Sequence, residues 1–110
     1  MHKEPTTYFM MNQTLTTIYI GVTSDIEQRV LQHKSGVGSA FTSKYLCNLL
    51  VYSEQFQTMT DAIDREKQLK NWKREWKLNL IKTTNPDFID IAKEWFDDEA
   101  IEGCRKSFGK

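Results

Sequence analysis

Thr7-Tyr8-Phe9-Met10-Met11 and Leu15-Thr16-Thr17-Ile18-Tyr19-Ile20-Gly21-Val22 decide the fold. Both runs are rich in β-branched and aromatic residues, and only the short polar joint Asn12-Gln13-Thr14 separates them, so they read as a β-hairpin. The joint has no Asn-Gly or Gly-Gly pair to fix its turn type. A hairpin sets Tyr8 and Tyr19, eleven positions apart, on adjacent strands. Arg29 follows Tyr19 by ten positions and Glu66 follows it by forty-seven.

Working outward, Ser24-Asp25-Ile26-Glu27 has the form of a capping box, and Ile26, Val30 and Leu31 fall on one side of a helix running to about Lys34. Arg29 and His33 are four apart on it and therefore neighbours on one face. Ser35 to Tyr45 contains Gly36 and Gly38, has no period and is expected to be a flexible loop. Asn48 to Glu54 supplies a third strand. Thr58-Met59-Thr60-Asp61 opens a second helix whose buried stripe is expected to hold Met59, Ala62, Ile63 and Leu69, with Glu66 on the same stripe. A third helix is expected over Arg74 to Ile81 with Trp76 and Leu80 inward, broken by Asn85-Pro86. Beyond Pro86, the residues Phe88, Ile91, Ala92, Trp95 and Phe96 outline an amphipathic helix with an acidic far side, and Glu102 to Lys110 is expected to fray.

The order β-β-α-β-α-α defines an α/β (α+β) domain, a small three-stranded antiparallel sheet flanked by helices. It spans residues 5–86, and an acidic helical tail spans 87–110. A chain of 110 residues, 39% of them hydrophobic, can bury one core and leaves little room for a second.

Fifteen basic and fifteen acidic residues give no overall attraction to nucleic acid, so any such argument rests on how the charges are distributed. Arg65, Lys67, Lys70, Lys73, Arg74, Lys77 and Lys82 face only Glu66 and Glu75 in their stretch, a local excess of five positive charges. From Asp87 to Glu102 the sign reverses. Cys47 and Cys104 form no CxxC and have no histidine cluster nearby, which argues against a zinc site or a disulfide framework and makes a reducing, cytoplasmic setting the expectation. Neither a secretory h-region nor a run of roughly 20 apolar residues is present.

Glu66 is the sharpest chemical anomaly, because a charged carboxylate on an apolar stripe is costly unless something compensates it. A divalent cation would do so, and so would an ion pair with Arg65, Lys70 or Lys73. The two tyrosines suit a core equally well, each with its hydroxyl directed at one partner or at solvent. A catalytic phenol, with an ordinary pKa of about 10, needs a cation or a metal-bound water beside it. Arg29 could supply the cation and stabilise charge developing on a phosphate, with His33 transferring a proton. Gly21, lacking a side chain, would let a phosphate or a helix approach the strand, or it could simply turn the chain into the first helix. Basic and aromatic residues interleave from Lys70 to Lys77, where Lys67, Lys70 and Arg74 are candidate backbone contacts and Lys44 is a further one in the glycine loop. The tryptophans there read equally well as core.

With these residues in place, the chain resembles the GIY-YIG nuclease family. Tyr19-Ile20-Gly21 matches the family's second element, and Thr6-Thr7-Tyr8 stands where the first element reads Gly-Ile-Tyr, keeping only its tyrosine. Arg29 falls at the family's arginine. Ala62 to Lys70 is similar to the glutamate helix of the small stand-alone bacterial, UPF0213-like members. The resemblance covers residues 5–86. It implies hydrolysis of DNA phosphodiesters, branched or nicked forms included, with one Mg²⁺ or Mn²⁺ on Glu66. Tyr19 would then act as or help form the general base, Tyr8 would orient water or phosphate, and Arg29 would bind the developing charge. The products would carry 5′-phosphate and 3′-hydroxyl ends. An asparagine after the glutamate helix usually belongs to the pattern, and Asn71, Asn79 and Asn85 are all available for it. The competing function is a DNA-binding module on the same scaffold without turnover. The acidic tail could fold over the basic face in imitation of DNA, or simply cap the core.

Overall fold

A computed structural model describes residues 4–108. The central strand β1 (Thr6–Met11) lies between β2 (Ile18–Thr23) and β3 (Leu49–Gln55), antiparallel to both. All six residues of β1 are buried, because helices cover both faces of the sheet and no residue of this strand is left for solvent. Tyr8 pairs with Gly21 and Met10 with Tyr19, so both tyrosines project from one face. The first turn is longer than expected. Asn12 Oδ1 accepts from the Thr16 and Thr17 amides at 2.9 Å each, Leu15 adopts a left-handed φ of 58°, and β2 begins only at Ile18.

Alternation along β1 splits the core in two. Phe9 and Met11 pack with Ile20, Val51, Tyr52, Leu69 and Ile81, whereas Tyr8 and Met10 pack with Val30, Cys47, Leu50 and Ala92. A bulge on β3 sets two residues against one between Phe9 and Met10, which lets Val51 and Tyr52 both reach the first cluster.

Helix α1 (Ile26–Lys34) covers the Tyr8 face. Its cap is Asp25, whose side chain accepts from the Gln28 amide, and not Ser24 as the capping box suggests; Thr23 Oγ1 in turn receives the Asp25 amide. The stretch expected to be a flexible loop contains α2 (Ala40–Tyr45), capped by Ser39 through the Thr42 amide and closed by Leu46 in the left-handed region. Helix α3 (Met59–Lys70) starts at the expected Thr58 cap and covers the Phe9 face, where Thr7 Oγ1 donates to the Ala62 carbonyl at 2.7 Å. Ala62 and Leu69 are buried on it, but Met59 is exposed.

Helix α4 (Arg74–Lys82) buries Ile81 and packs Leu78 and Leu80 against the core. Trp76 points outward with 48% of its surface exposed, and the tryptophan that reaches the core is Trp72, just before the helix. The inward tryptophan thus lies four positions, about one helical turn, before the expected one.

The helix expected over Phe88 to Phe96 does not form. Asp90 Oδ1 accepts from the Leu50 and Ala92 amides, Ile91 donates to the Leu50 carbonyl, and Phe88 takes a φ of 55°. A side chain that satisfies nearby amides competes with the helix ladder. Helix α5 (Asp98–Phe108) comes later, where fraying was expected; Gly109 and Lys110, the end of that expected stretch, lie outside the described residues. The helix rests on α1, with Ser35 Oγ donating to the Ile101 carbonyl and Arg105 Nε to the Ser35 carbonyl. The acidic segment thus closes the outer edge of β3, an edge that would otherwise present unpaired backbone groups. Lys34 pairs with Asp90 there. This is the rim opposite β2, which overturns the idea of a tail folded over the basic helices. No helix of the described residues is long and apolar enough to cross a membrane.

Candidate active site

β1, β2, α1 and α2 bring Tyr8, Tyr19, Arg29 and His33 together. The ring centroids of Tyr8 and Tyr19 are 6.2 Å apart, and His33 lies 5.7 and 5.4 Å from them. Tyr8 has no accessible surface. Its hydroxyl therefore meets His33 Nε2, at 2.9 Å, and not solvent. On the other side of the ring, His33 Nδ1 lies 3.0 Å from Thr42 Oγ1, which lies 2.9 Å from Ser39 Oγ. A neutral imidazole has one donor nitrogen and one acceptor. Either tautomer satisfies both contacts: the phenol donates to Nε2 and Nδ1–H to Thr42, or Nε2–H donates to the phenol oxygen and the Thr42 hydroxyl to Nδ1.

Electrostatics keeps both groups neutral. Burial first, and the neighbouring Tyr19 second, push the Tyr8 phenol above its ordinary value, while the Arg29 guanidinium beside it pulls the other way. The same burial, aided by the positive charge of Arg29, lowers His33 to about 4. At pH 7 the imidazole is uncharged and the phenol keeps its proton. Arg29 is half-buried, one turn before His33 on α1.

Gly21 is explained differently from either sequence reading. A Cβ at Gly21 would stand 2.5 Å from the Tyr8 hydroxyl oxygen and 2.9 Å from Tyr19 Cε2, so the missing side chain makes room for the tyrosines and leaves none for a phosphate. Gly38 does the same for His33, where a Cβ would collide with Nδ1. Thr42, Ser39 and Gly38 were all missed as parts of this constellation. Ser39-x-x-Thr42 is a recognisable helix start, but the flanking glycines masked it.

Glu66 sits on α3, the helix that covers the other face of the sheet. Its side chain is 15% exposed and its carboxylate pairs with Lys70 Nζ at 3.1 Å, one of the ion-pair alternatives considered from sequence. Lys70 lines a depression of about 280 Å³ together with Ile18, Tyr19, Ile20, Phe41 and Lys77. Lys67 is exposed on α3. Other cations of the basic stretch have partners: Arg65 binds Glu54 at 2.9 and 3.0 Å, and Arg74 reaches the Leu15 carbonyl at 3.4 Å. Lys44 lies over the Tyr45 ring at 5.4 Å. Of the asparagines, Asn85 is buried and ties Val51 and Ile89 together, Asn71 caps α3, and Asn79 is exposed. Asn85 is thus a structural tie.

The GIY-YIG catalytic domain model matches residues 4–79. The chain belongs to the GIY-YIG family, whose catalytic domain is nuclease-type. Among curated proteins it is similar to the UPF0213 protein of Staphylococcus saprophyticus, 38% identical over 65 residues, which are 59% of this chain and 79% of that protein. The UPF0213 protein of Staphylococcus aureus is 36% identical over 66 residues, 60% and 80% of the two chains. That of Staphylococcus haemolyticus is 34% identical over 65 residues, 59% and 79%. No solved structure matches.

Proposed function

We propose that this chain is a metal-dependent DNA endonuclease working at the rim of β2. The observation that carries the reading is that Tyr19 and Lys70 line one depression, with Tyr8 and His33 beside Tyr19, Arg29 beside Tyr8 and His33, and Glu66 bonded to Lys70. Tyr19 is only partly buried and serves as the general base or as part of it. Arg29 binds the phosphate oxygens as their charge grows, for which its planar fork is suited. His33, kept neutral, is bonded to the Tyr8 phenol and fixes it beside Tyr19. Tyr8, sealed in the core, acts by holding His33 and by setting the distance between the strands, and so aims Tyr19.

Among the described residues no three His, Cys, Asp or Glu side chains cluster into a protein-only metal cage. A single carboxylate bonded to the lysine that lines an open depression fits a hard ion such as Mg²⁺ or Mn²⁺, which keeps most of its water and accepts one or two carboxylates. Glu66 would hold it in place of Lys70, and the bound ion would supply Lewis-acid stabilisation of the leaving oxygen. Lys70, released, is free to meet a phosphate. Lys67 and Lys77 extend the same positive rim.

Nicking of supercoiled plasmid DNA in Mg²⁺ or Mn²⁺ tests the reading. Glu66→Gln and Arg29→Ala should each lower the rate by about a hundred-fold or more while leaving the fold intact. Undiminished cleavage by both overturns it. The Lys70 latch on Glu66 favours one second reading, a DNA-binding module without turnover. Binding to branched, nicked and single-stranded DNA that never becomes cleavage under any metal would select the module.

A further inference from the structure

Helix α2 buries one residue of its six, Thr42, whose hydroxyl supports His33. Its large side chains face outward: Phe41 is 43% exposed, Tyr45 41% and Leu46, just past the helix, 68%. Single exposed apolar residues are ordinary. Here they form a row. Phe41 and Tyr45 are one turn apart with ring centroids separated by 4.8 Å, and Phe41 lies 5.9 Å from Tyr19 at an interplanar angle of 33°. Phe41 also lines the depression that holds Tyr19, Lys70 and Lys77, so the row begins inside the site and runs outward along α2. Lys44 stands over Tyr45 at its far end.

Aromatic faces presented in sequence, flanked by ammonium groups and continuous with a phosphodiester site, match one chemistry: planar bases strung on a phosphate backbone. A base inside a duplex already has neighbours stacked on both faces and cannot offer one to a protein ring. We propose that Phe41 and Tyr45 form a stacking platform for unpaired nucleotides adjacent to the cleaved bond, which makes single-stranded or locally unpaired DNA the substrate class. The proposal rests on the nuclease reading above for the position of the site, and on the α2 surface for the platform. Lys44, Lys70 and Lys77 receive the accompanying phosphates.

Fluorescence anisotropy with the full chain in EDTA, where no cleavage occurs, measures the platform separately from turnover. The probes are a labelled single-stranded oligonucleotide and the corresponding duplex. Phe41→Ala with Tyr45→Ala should weaken single-strand binding by about ten-fold or more and duplex binding much less, and Phe41→Trp should preserve it. A 2-aminopurine in the oligonucleotide should be quenched by the wild-type chain and not by the double variant. Equal losses on both DNA forms, or no loss, overturn the proposal. So does a dimer in sedimentation that the double variant splits without any change in DNA affinity, because the row would then be covered by a second copy. Because these side chains are exposed, the melting temperature serves as the folding control. Failure of the nuclease reading is seen elsewhere, as undiminished cleavage by both Glu66→Gln and Arg29→Ala, and does not mimic any of these results.

Discussion

The two faces of β1 solve the same problem in opposite ways. On one face Phe9 and Met11 sink into an apolar cluster with Leu69 and Ile81, where any well-fitting hydrocarbon serves. On the other, one residue along, Tyr8 is equally buried but is fixed by a directional chain through His33 and Thr42 to Ser39. Area holds the first face, and distances of about 3 Å hold the second. A fold that needs a phenol and an imidazole in fixed places can afford them because the opposite face of the same strand carries the stability.

The largest expected effect tests that division directly. Phe9→Ala removes a fully buried ring from the apolar face and should cost about 3–5 kcal/mol in urea unfolding. Tyr8→Phe keeps the ring and leaves His33 Nε2 without its partner, so it should cost only about 1–3 kcal/mol. If Tyr8→Phe proves the more damaging of the two, the polar face carries the fold and the contrast is reversed.

The second test uses pH, to which Phe9, Met11, Leu69 and Ile81 are indifferent. His33 is lowered to about 4 in the folded chain from an ordinary 6.5. Between those values the unfolded chain binds the proton more readily, so the contribution of His33 is intact above about pH 6.5 and is lost as pH falls toward 4. The loss amounts to up to about 3 kcal/mol. His33→Gln, which can still meet the Tyr8 hydroxyl, should flatten this part of the stability profile, measured as urea midpoints at about pH 7 and about pH 4. An unchanged slope in the variant would mean that the imidazole is not held neutral by burial.

Both faces were partly legible in the sequence, but for different reasons. The hairpin, α1 and the Thr58 cap follow from local periodicity and capping chemistry, which put Tyr8 and Tyr19 on neighbouring strands and Arg29 and His33 on one helix face; packing of α1 on the sheet brings the two pairs together. Glu66 stood out because a carboxylate interrupts an apolar stripe, although its bond to Lys70 was only one of three pairings considered. What local patterns could not convey was long-range capture. Asp90 is taken by an amide of β3 forty positions away, which replaces the expected helix with a strap along that edge. Helix α2 lay hidden behind two preceding glycines, of which Gly38 clears space for an imidazole five residues earlier. Trp76 and Trp72 offered nearly equivalent stripes, and only the packed core separates them.

The smallest effect sharpens the contrast most, because it changes almost no volume. Thr42→Val replaces a buried hydroxyl by a methyl group of similar size and leaves His33 Nδ1 without its partner. Were this face held by area alone, the substitution would be neutral or slightly stabilising. Because the hydroxyl also meets Ser39 Oγ, its loss should cost about 1–2 kcal/mol and loosen the imidazole. The His33 NMR titration should register that loosening as a pKa rising toward 6.5, since a ring freed from its fixed neighbours gains access to water. Thr42→Ser keeps the hydroxyl and should restore the wild-type titration. A valine variant with unaltered stability and titration would show that the hydroxyl is a bystander and that Tyr8 and Arg29 alone hold the ring.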